Sequence, residues 1–510
     1  MEKRLRHSIV RNSFWNLIYV TISKLGGILF TIFLARILLP NYFGIYSIIL
    51  SIMMLFFIFT DLGVNTATLR YLSNSLKKNK KSFPAYYHYL IKIKVYLSLS
   101  VSIIFILLSY ILSLYLLKDT SFTLPFILSA IYLFVFTIDL FYLNLFYVAE
   151  KVKLVSLREI IYQVLRLVSI VLLAFIAEAT NKISVLFIYL IFLSLCLIVY
   201  SRHYLKKYLP DLSKKPEAVI DKNEVLGFIG FLTIAAISGT IFSYMDSIML
   251  AIFVEPEFVG YYKVAFTLIL GIVGLMAFPN SILLNAFSKL DKKKVQTILN
   301  TSFRYISIIS LPAIFGLVAL GRFFIKALYG SSYLPASLPL YVLSFSIFPM
   351  ILMGLILQLF SAENKPKLLA RLIIPTTLLN LVLNYVFISF LVKISPIYAV
   401  MGVSLATSLS WLFYLILAIK KINCNLGYSL PFSKLLKPLF SSLIMWLIIY
   451  LLIKWMGNIN LFLGILLVVI GVVSYSVILY LLGGLSKRDI YLIKLARNNT
   501  LNTKIFNQLN

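Results

Sequence analysis

Most of the chain consists of long apolar runs separated by short polar stretches. A helix needs about 20 mainly apolar residues to cross the hydrocarbon core of a bilayer, so each run predicts one transmembrane helix. The pattern therefore predicts an all-α polytopic membrane protein. The fourteen predicted helices cover residues 12–34, 44–69, 95–117, 124–148, 157–178, 183–201, 226–253, 260–287, 298–321, 336–361, 368–391, 398–419, 436–456 and 461–482.

The positions of Lys and Arg provide an independent count of the helices, because cytoplasmic loops are richer in basic residues than external ones. Along the chain, segments rich and poor in Lys and Arg alternate without a break, with 37 of these residues in one set and 7 in the other. A missed or invented helix would interrupt the alternation. The distribution predicts fourteen helices in the cytoplasmic membrane and places both termini in the cytoplasm.

Composition excludes several classes of protein. The 510 residues are 61% hydrophobic and 13% charged, with a mean hydropathy of +0.98, which is incompatible with a soluble enzyme. The net charge of +30 follows mainly from loop topology, so we expect no nucleic-acid partner. The sequence contains no phosphate-binding loop of the G-x-x-x-x-G-K-[ST] type. His7, His88 and His203 all lie outside the apolar runs, and Cys196 and Cys424 form no cluster. We therefore predict no enzyme activity, no metal site and no cofactor.

An internal repeat predicts how the helices are grouped. Residues 34–46 (LARILLPNYFGIY) align with residues 250–262 (LAIFVEPEFVGYY), and both segments join the first and second helices of a six-helix block. Six is an even number, so the two blocks would share one orientation, as parallel repeats do. The identical pairs are Leu34/Leu250, Ala35/Ala251, Pro40/Pro256, Gly44/Gly260 and Tyr46/Tyr262.

The repeat predicts two six-helix lobes and an additional C-terminal pair of helices. The N-terminal lobe covers residues 1–201, and a basic cytoplasmic linker covers 202–225. The C-terminal lobe covers 226–419. Residues 420–510 contain helices 13 and 14 and a cytoplasmic tail.

Six charged residues interrupt the apolar runs. Each costs about 2.5–3.5 kcal/mol at a helix centre on insertion scales, so they should face protein or water rather than lipid. Ion pairing, for example between Lys24 and Asp61, is one interpretation, and contact with a substrate or ion is the other. Asp139 lies among tyrosines and could be a protonated structural acid. Asp246 could close the lobes by hydrogen bonding, and Lys263 could extend to the interface. The six residues are Lys24, Arg166, Lys263, Asp61, Asp139 and Asp246.

Polar residues form stripes on several predicted helices. Ser23, Lys24 and Gly27 share a face of the first helix, as Ser51 and Asp61 do on the second. These stripes predict a hydrated cavity between the lobes. Tight packing of small residues between helices is the alternative interpretation.

Four segments resemble those of a known family. LARILLPNYFGIYSI, TDLGVNTATLRYLS, MDSIMLAIFVEPEFVGYYKVA and IYAVMGVSLATSLS resemble motifs of the Wzx-type polysaccharide flippases, within the multidrug/oligosaccharidyl-lipid/polysaccharide exporter superfamily. The resemblance covers residues 10–485. It implies translocation of polyprenyl-pyrophosphate-linked oligosaccharide to the outer leaflet by alternating access, for export of surface polysaccharide. A lipid II-type cell-wall precursor flippase and a cation-coupled small-molecule antiporter are the alternatives.

The resemblance also leads to expectations about the site and its partners. We expect five basic residues to be candidates for binding the anionic substrate, although Arg36 and Arg70 could be only interfacial anchors: Lys24, Arg166, Lys263, Arg36 and Arg70. Three acids are candidates for ion coupling or for lining the cavity: Asp61, Asp139 and Asp246. The expected partners are lipid-linked oligosaccharide, membrane lipids and a glycan polymerase or glycosyltransferases. We expect the protein to be a monomer.

Overall fold

A computed structural model describes residues 2–176, 178–216, 218, 220–276, 280–363, 366–457 and 460–485, and in this part of the chain the regular structure is entirely helical. The α-helices of the described residues are α1 (Glu2–Asp61), α2 (Val64–Lys78), α3 (Phe83–Leu112), α4 (Thr123–Val148), α5 (Val152–Ala174), α6 (Ala179–Tyr208), α7 (Lys222–Phe253), α8 (Pro256–Met276), α9 (Asn280–Lys289), α10 (Lys292–Tyr329), α11 (Ser337–Ser344), α12 (Ile347–Ala362), α13 (Pro366–Leu391), α14 (Pro396–Leu426), α15 (Leu436–Met456) and α16 (Leu461–Leu481). The all-α membrane fold predicted from the sequence is confirmed.

Among the described residues, eleven helices are long and apolar enough to cross a membrane, or up to twelve if a pair bent by 48° before Ile347 is one span. Two features account for the difference between this count and the predicted fourteen helices. Helix α1 contains the first two predicted spans, joined at a kink where Leu39 has φ 61°. Helix α5 carries Arg158, Glu159 and Arg166 in its apolar segment. The number fourteen stays a prediction.

Helix α1 lies at the centre of the molecule. It packs on α5 and α4 on one side and on α8 and α7 on the other, while α13 and α14 pack on each other and on α7. The helices α15 and α16 pack against α10 through a separate apolar cluster. The Tyr475 hydroxyl of α16 donates to the Ile308 carbonyl at 2.7 Å. The additional C-terminal pair is therefore attached to the second half of the chain through α10.

The predicted domain boundaries remain predictions, and all three of them fall inside helices. The predicted linker ends at 225, whereas α7 begins at Lys222. Helix α6 continues from the first predicted lobe to Tyr208, and α14 continues to Leu426. Part of the predicted linker, at positions 217 and 219, lies outside the described residues. The same is true of the predicted tail over 486–510.

The bundle has two ends, which we name by their contacts. The basic end contains the α2–α3, α6–α7 and α9–α10 connections, and there His88 Nε2 lies 3.1 Å from the Lys214 carbonyl oxygen. The far end contains the α1 kink and the α7–α8 and α10–α11 connections, and there the Tyr333 hydroxyl donates to the Ala35 carbonyl at 2.8 Å. The charge distribution predicts that the basic end faces the cytoplasm.

The two copies of the sequence repeat meet each other near the far end. We call this contact of α1 with α8 the seam. A Cβ atom added to Gly44 would overlap with the Pro256 carbonyl oxygen, and one added to Gly260 would overlap with the Pro40 carbonyl oxygen. The aligned pairs Pro40/Pro256 and Gly44/Gly260 thus contact one another, with backbone against backbone. Glycine is required because any side chain would hold the helices apart.

We expect Gly44→Ala and Gly260→Ala each to destabilise this arrangement by about 1–3 kcal/mol, as overpacking of a tight contact does. The added methyl group meets a backbone carbonyl, which cannot rotate away as a side chain can. The measurement is the thermal unfolding midpoint of the purified protein in detergent. Gly354→Ala is the matched control, because an added Cβ has no neighbour within 4 Å there. Equal midpoints for the seam variants and this control would contradict the prediction.

Candidate functional site

Two of the predicted basic residues are associated with the same stretch of α1. Lys24 belongs to this stretch, and Arg166 of α5 packs on its Phe30. The Lys24 side chain is exposed, and its aliphatic part runs beside Gly274 of α8, where an added Cβ would lie 3.2 Å from the Lys24 Cδ. The Arg166 guanidinium of α5 stacks over the Phe30 ring at 3.8 Å from the ring centroid. Lys24 therefore lies at the contact of α1 with α8, and Arg166 is half-buried at the contact of α1 with α5.

Arg166 is surrounded by aromatic rings and is incompletely hydrogen bonded. Besides Phe30, the Tyr162 ring centroid lies 5.8 Å from its guanidinium carbon. Its Nε is buried and has no hydrogen-bond partner among the described residues. Burial of a guanidinium without an anionic partner costs free energy, and a bound anion would offset that cost. Arg166 therefore retains a donor for an anionic group.

Asp61 is paired with a residue that sequence analysis did not identify. The Lys94 ammonium group of α3 lies 2.7 Å from the Asp61 carboxylate, and Lys94 is fully buried. The expected example of pairing between Lys24 and Asp61 is therefore wrong. The predicted third helix began at 95, whereas α3 begins at Phe83. Lys94 was consequently assigned to a loop.

Asp139 also forms an ion pair. Its carboxylate contacts the Arg158 guanidinium of α5, and both side chains are almost completely buried. The expectation that Asp139 stands alone among tyrosines is therefore wrong. Arg158 lies at the start of the predicted fifth helix (157–178) and was not among the six charged residues singled out from the sequence, whereas α5 begins earlier, at Val152. The next residue, Glu159, shares a polar face of the predicted fifth helix with Arg166. It accepts a hydrogen bond from Gln163 at 2.7 Å, and Gln163 was not singled out from the sequence.

Arg36 and Arg70 make contacts between the lobes at opposite ends of the bundle. Arg36 donates from Nε to the Leu328 carbonyl at 2.7 Å and from Nη2 to the Ala327 carbonyl at 2.5 Å. It thereby caps the C-terminal end of α10, where a cation is favoured. Arg70 stacks over the Phe228 ring of α7 at 4.4 Å. These positions separate the two arginines from Lys24 and Arg166.

A second contact joins the lobes at the basic end. The Tyr71 hydroxyl of α2 donates to the Glu224 carboxylate of α7 at 3.1 Å. Further along α7, the Thr233 hydroxyl donates to the Leu62 carbonyl at 3.0 Å. Together with the far-end contacts of Arg36 and Tyr333, these bonds show that the lobes touch at both ends in this conformation.

Asp246 is at the centre of a buried polar network in the second half of the chain. Asn384 of α13 donates to Oδ1 at 2.7 Å, and Thr407 of α14 donates to Oδ2 at 2.7 Å. The Tyr262 hydroxyl of α8 also donates to Oδ2. Asp246 is 2% exposed, and no Lys or Arg of the described residues forms a salt bridge with it. It is an acid held by neutral donors from three other helices.

The network contradicts the expectation for Asp246 and accounts for two buried asparagines of α13. Asp246 does not bond to helix ends between the lobes, since its partners lie on α8, α13 and α14. Asn380 and Asn384, which share a face of α13, belong to this network: the Asn384 amide nitrogen lies 3.1 Å from the Asn380 side-chain oxygen. Lys263 is adjacent in sequence to Tyr262, and its ammonium group lies 5.5 Å from the Tyr244 ring centroid.

The eight predicted site residues thus fall into three groups. Asp61 and Asp139 are neutralised by ion pairs within the first lobe. Arg36 and Arg70 hold the lobes together at opposite ends. The remaining residues are charged side chains that form no salt bridge among the described residues: Lys24, Arg166, Lys263 and Asp246.

Comparison with known proteins agrees with this architecture. Residues 9–291 match the family model described as polysaccharide biosynthesis protein. The probable low-salt glycan biosynthesis flippase Agl15 of Haloferax volcanii is 23% identical over 239 residues, which cover 46% of this chain and 48% of that protein. The probable flippase AglR of the same organism is 29% identical over 190 residues, covering 36% and 38%. The matched segments span less than half of each relative.

The fold resembles solved transporter structures over most of the chain. A structure of the lipid II flippase MurJ in an inward closed conformation has a TM-score of 0.73 at 17% identity, covering 92% of this chain and 98% of that one. An inward-facing multidrug resistance transporter of the MATE family has a TM-score of 0.58 at 13% identity, covering 81% and 98%. These likenesses show the fold alone. Because the matching family model covers more than half of the residues, the chain belongs to the polysaccharide biosynthesis protein family.

Proposed function

We propose that the protein is a transporter that flips polyprenyl-pyrophosphate-linked oligosaccharide from the cytoplasmic to the outer leaflet. A glycan cannot cross hydrocarbon unaided, because polar groups that leave water without partners each cost several kcal/mol. Family membership and the transporter fold support this function. The observation that carries it is the half-buried Arg166, which packs on Phe30 of α1 and whose buried Nε has no hydrogen-bond partner among the described residues.

The proposed substrate contact is made by two cations, Lys24 and Arg166. A guanidinium donates two parallel hydrogen bonds to a phosphate, and an ammonium group adds a mobile point charge. Lys24 is exposed and can meet the pyrophosphate first, while Arg166 is held in place by its ring contacts. Lys263 lies on the opposite lobe and is a further candidate. In this proposal Arg36 and Arg70 control access and do not bind substrate.

The mechanism we propose is alternating access by rocking of the lobes. Contacts at the far end and at the basic end would break in turn, so that the cavity opens to one leaflet at a time. The lipid chain would stay in the bilayer while the headgroup crosses. We place the basic end in the cytoplasm of the cell and the protein in the cytoplasmic membrane as a monomer. A glycan polymerase or glycosyltransferases would be its partners in the pathway.

A lipid II-type precursor is the second candidate substrate, because the MurJ structure matches 92% of this chain. The two candidates differ in headgroup and share the pyrophosphate. Reconstitution with each defined lipid-linked sugar in separate liposomes distinguishes them. A small-molecule antiporter would instead leave both lipids unflipped.

Replacement of Arg166 tests the proposed function. In proteoliposomes containing a defined lipid-linked oligosaccharide, we expect Arg166→Gln to lower the flipping rate by about tenfold or more, since a charged hydrogen bond contributes about 1.5–3 kcal/mol. Arg166→Lys keeps the charge without the planar fork and should be intermediate. Accessibility of the sugar to an external lectin gives the rate. Arg371→Gln, which removes an exposed arginine, is the matched control. Wild-type flipping by the Lys24→Ala/Arg166→Ala double variant would rule out this site.

Asp246 is the acid that we propose for ion coupling. Its neutral donors leave a charge that a proton or a sodium ion can compensate, whereas Asp61 and Asp139 already have cationic partners. We expect Asp246→Asn to abolish the dependence of flipping on pH or sodium gradients and to slow it by about 5–150-fold, the usual range of coupling. Rates measured with imposed gradients test this. Glu363→Gln, at the basic end beside Tyr428, is the control. Unchanged gradient dependence in Asp246→Asn would show that coupling lies elsewhere.

Arg36 provides a test of alternating access. Arg36→Gln removes the charge that caps α10, so we expect more molecules to open at the far end. After Cys196 and Cys424 are replaced by Ser, spin labels at the exposed positions Thr120 and Lys393 report the distance between the lobes there. The population with the longer distance should increase about fivefold or more, as loss of charged hydrogen bonds allows.

The control for the Arg36 measurement is Lys454→Gln, an exposed cation in the last turn of α15. This variant removes one positive charge from the far end without removing a described contact between the lobes. If Arg36→Gln left the distance distribution of the labels unchanged, the cap would not restrain far-end opening.

A further inference from the structure

Two cations line one cavity at the far end, where basic residues are scarce. The segments predicted to lie at that end contain seven Lys and Arg residues in the whole sequence. Arg322 and Lys326, which are four residues apart and therefore on one face of α10, line the same cavity of about 670 Å³. Both side chains are exposed. None of the described residues that line this cavity, which we call the far-end pocket, is acidic.

The far-end pocket is built between α10 and the additional helices. Its walls include Tyr341 of α11, Ile453 of α15 and Asn460 at the start of α16. The Asn460 side-chain oxygen accepts a hydrogen bond from the Leu463 amide at 2.8 Å, which leaves its NH₂ group as a further donor. Polar atoms that can donate thus accompany the two positive charges. The pocket has the chemistry of an anion site.

An apolar cavity adjoins the far-end pocket. This second cavity, the apolar slot, has a volume of about 440 Å³ and shares Leu320 with the far-end pocket. It runs between α10 and α15/α16, and none of its described lining residues is charged. Ile309 and Val472, on its wall, are 44% and 61% exposed, as expected for side chains that face lipid. A cationic pocket therefore adjoins a groove suited to a hydrocarbon chain, with Leu320 in the wall of both.

We propose that the far-end pocket binds the phosphate-bearing headgroup of a lipid whose chain lies in the apolar slot. Arg322 supplies the planar fork and Lys326 the point charge for phosphate recognition. The low dielectric of the membrane boundary strengthens both interactions relative to water. This site is separate from Arg166 and Lys24, and it requires no transport step. A polyprenyl phosphate and a bulk phospholipid share the required chemistry.

Lipid binding by the purified full-length protein tests the proposal. Native mass spectrometry measures occupancy with polyprenyl phosphate, phosphatidylglycerol or uncharged diacylglycerol added separately. We expect Arg322→Gln/Lys326→Gln to weaken binding of a phosphate lipid by about tenfold or more, since each cation contributes to anionic lipid attraction at a membrane surface. Diacylglycerol binding should not change. Arg322→Lys/Lys326→Arg should retain the phosphate lipid.

The matched control is Lys393→Gln/Lys454→Gln, which removes two exposed far-end cations outside the pocket. A preferential loss of polyprenyl phosphate in the pocket variant assigns the site to the lipid carrier, and a preferential loss of phosphatidylglycerol assigns it to a phospholipid. Wild-type affinity in the pocket variant, or an equal loss in the control, overturns the proposal. The measurement is of lipid binding and involves no flipping, so its outcome can be distinguished from failure of the proposed function.

A second arm tests the apolar slot. At Gly316, which lines the slot, an added Cβ has no neighbour within 4 Å, so Gly316→Phe fills the space without a clash at Cβ. We expect it to weaken binding of the phosphate lipid by several-fold through loss of chain contacts, and to leave binding of water-soluble glycerol phosphate unchanged. Unaltered lipid affinity in Gly316→Phe would contradict a chain seated in the slot.

Discussion

The close approach of two glycines to two carbonyl groups determines how the halves of this molecule fit together. Gly44 faces the Pro256 carbonyl and Gly260 faces the Pro40 carbonyl. In a membrane, apolar surface gains little by moving from lipid to protein, so helix association depends on van der Waals contact at short range. A seam of backbone against backbone provides that contact at short distance. The rest of the architecture, including the placement of α1 between α5 and α8, follows from it.

The seam also explains why charges inside the bilayer can be tolerated. With α1 in place, α3 and α5 carry Lys94 and Arg158 to the acids Asp61 and Asp139. Breaking such a buried pair leaves an uncompensated charge, which typically costs about 3–5 kcal/mol. Asp61 and Asp139 are thus neutralised within the first lobe. The second differs, because Asp246 is held by hydroxyl and amide donors and forms no salt bridge with a Lys or Arg of the described residues.

The sequence was informative about repeated and periodic features. Alignment of the repeat identified Pro40/Pro256 and Gly44/Gly260 as equivalent positions, although equivalence does not imply contact. The first residue of a helix was harder to predict, because an amphipathic first turn precedes the apolar run from which the helix was identified. Pro84 in the first turn of α3 is a start signal that was available in the sequence, and with it Lys94 would have fallen inside the helix.

Charge partners could not be predicted, for a geometric reason. Helical phase gives the face on which Asp139 or Asp246 lies, but the neighbouring helix depends on tertiary packing. Asn384 and Thr407 are 138 and 161 residues from Asp246, and their polar faces are compatible with many neighbours. Local pattern therefore identified the buried acids and left their roles undetermined until the helices were placed.

Alternating access requires that the lobes separate and close reversibly, so the contacts between them should be numerous and individually weak. The bonds of Arg36 to α10 and of Tyr71 to Glu224 lie near the two ends of the bundle, where water can replace a lost partner. A hydrogen bond with a charged partner has a net value of about 1.5–3 kcal/mol when it is exchanged with water, so either end can open at moderate cost. The buried pairs lie within the first lobe and need not break. The division between exposed polar contacts across the lobes and buried pairs inside one lobe suits rigid-body motion, because the Lys94–Asp61 and Arg158–Asp139 pairs stay intact while the contacts with the other lobe are exchanged.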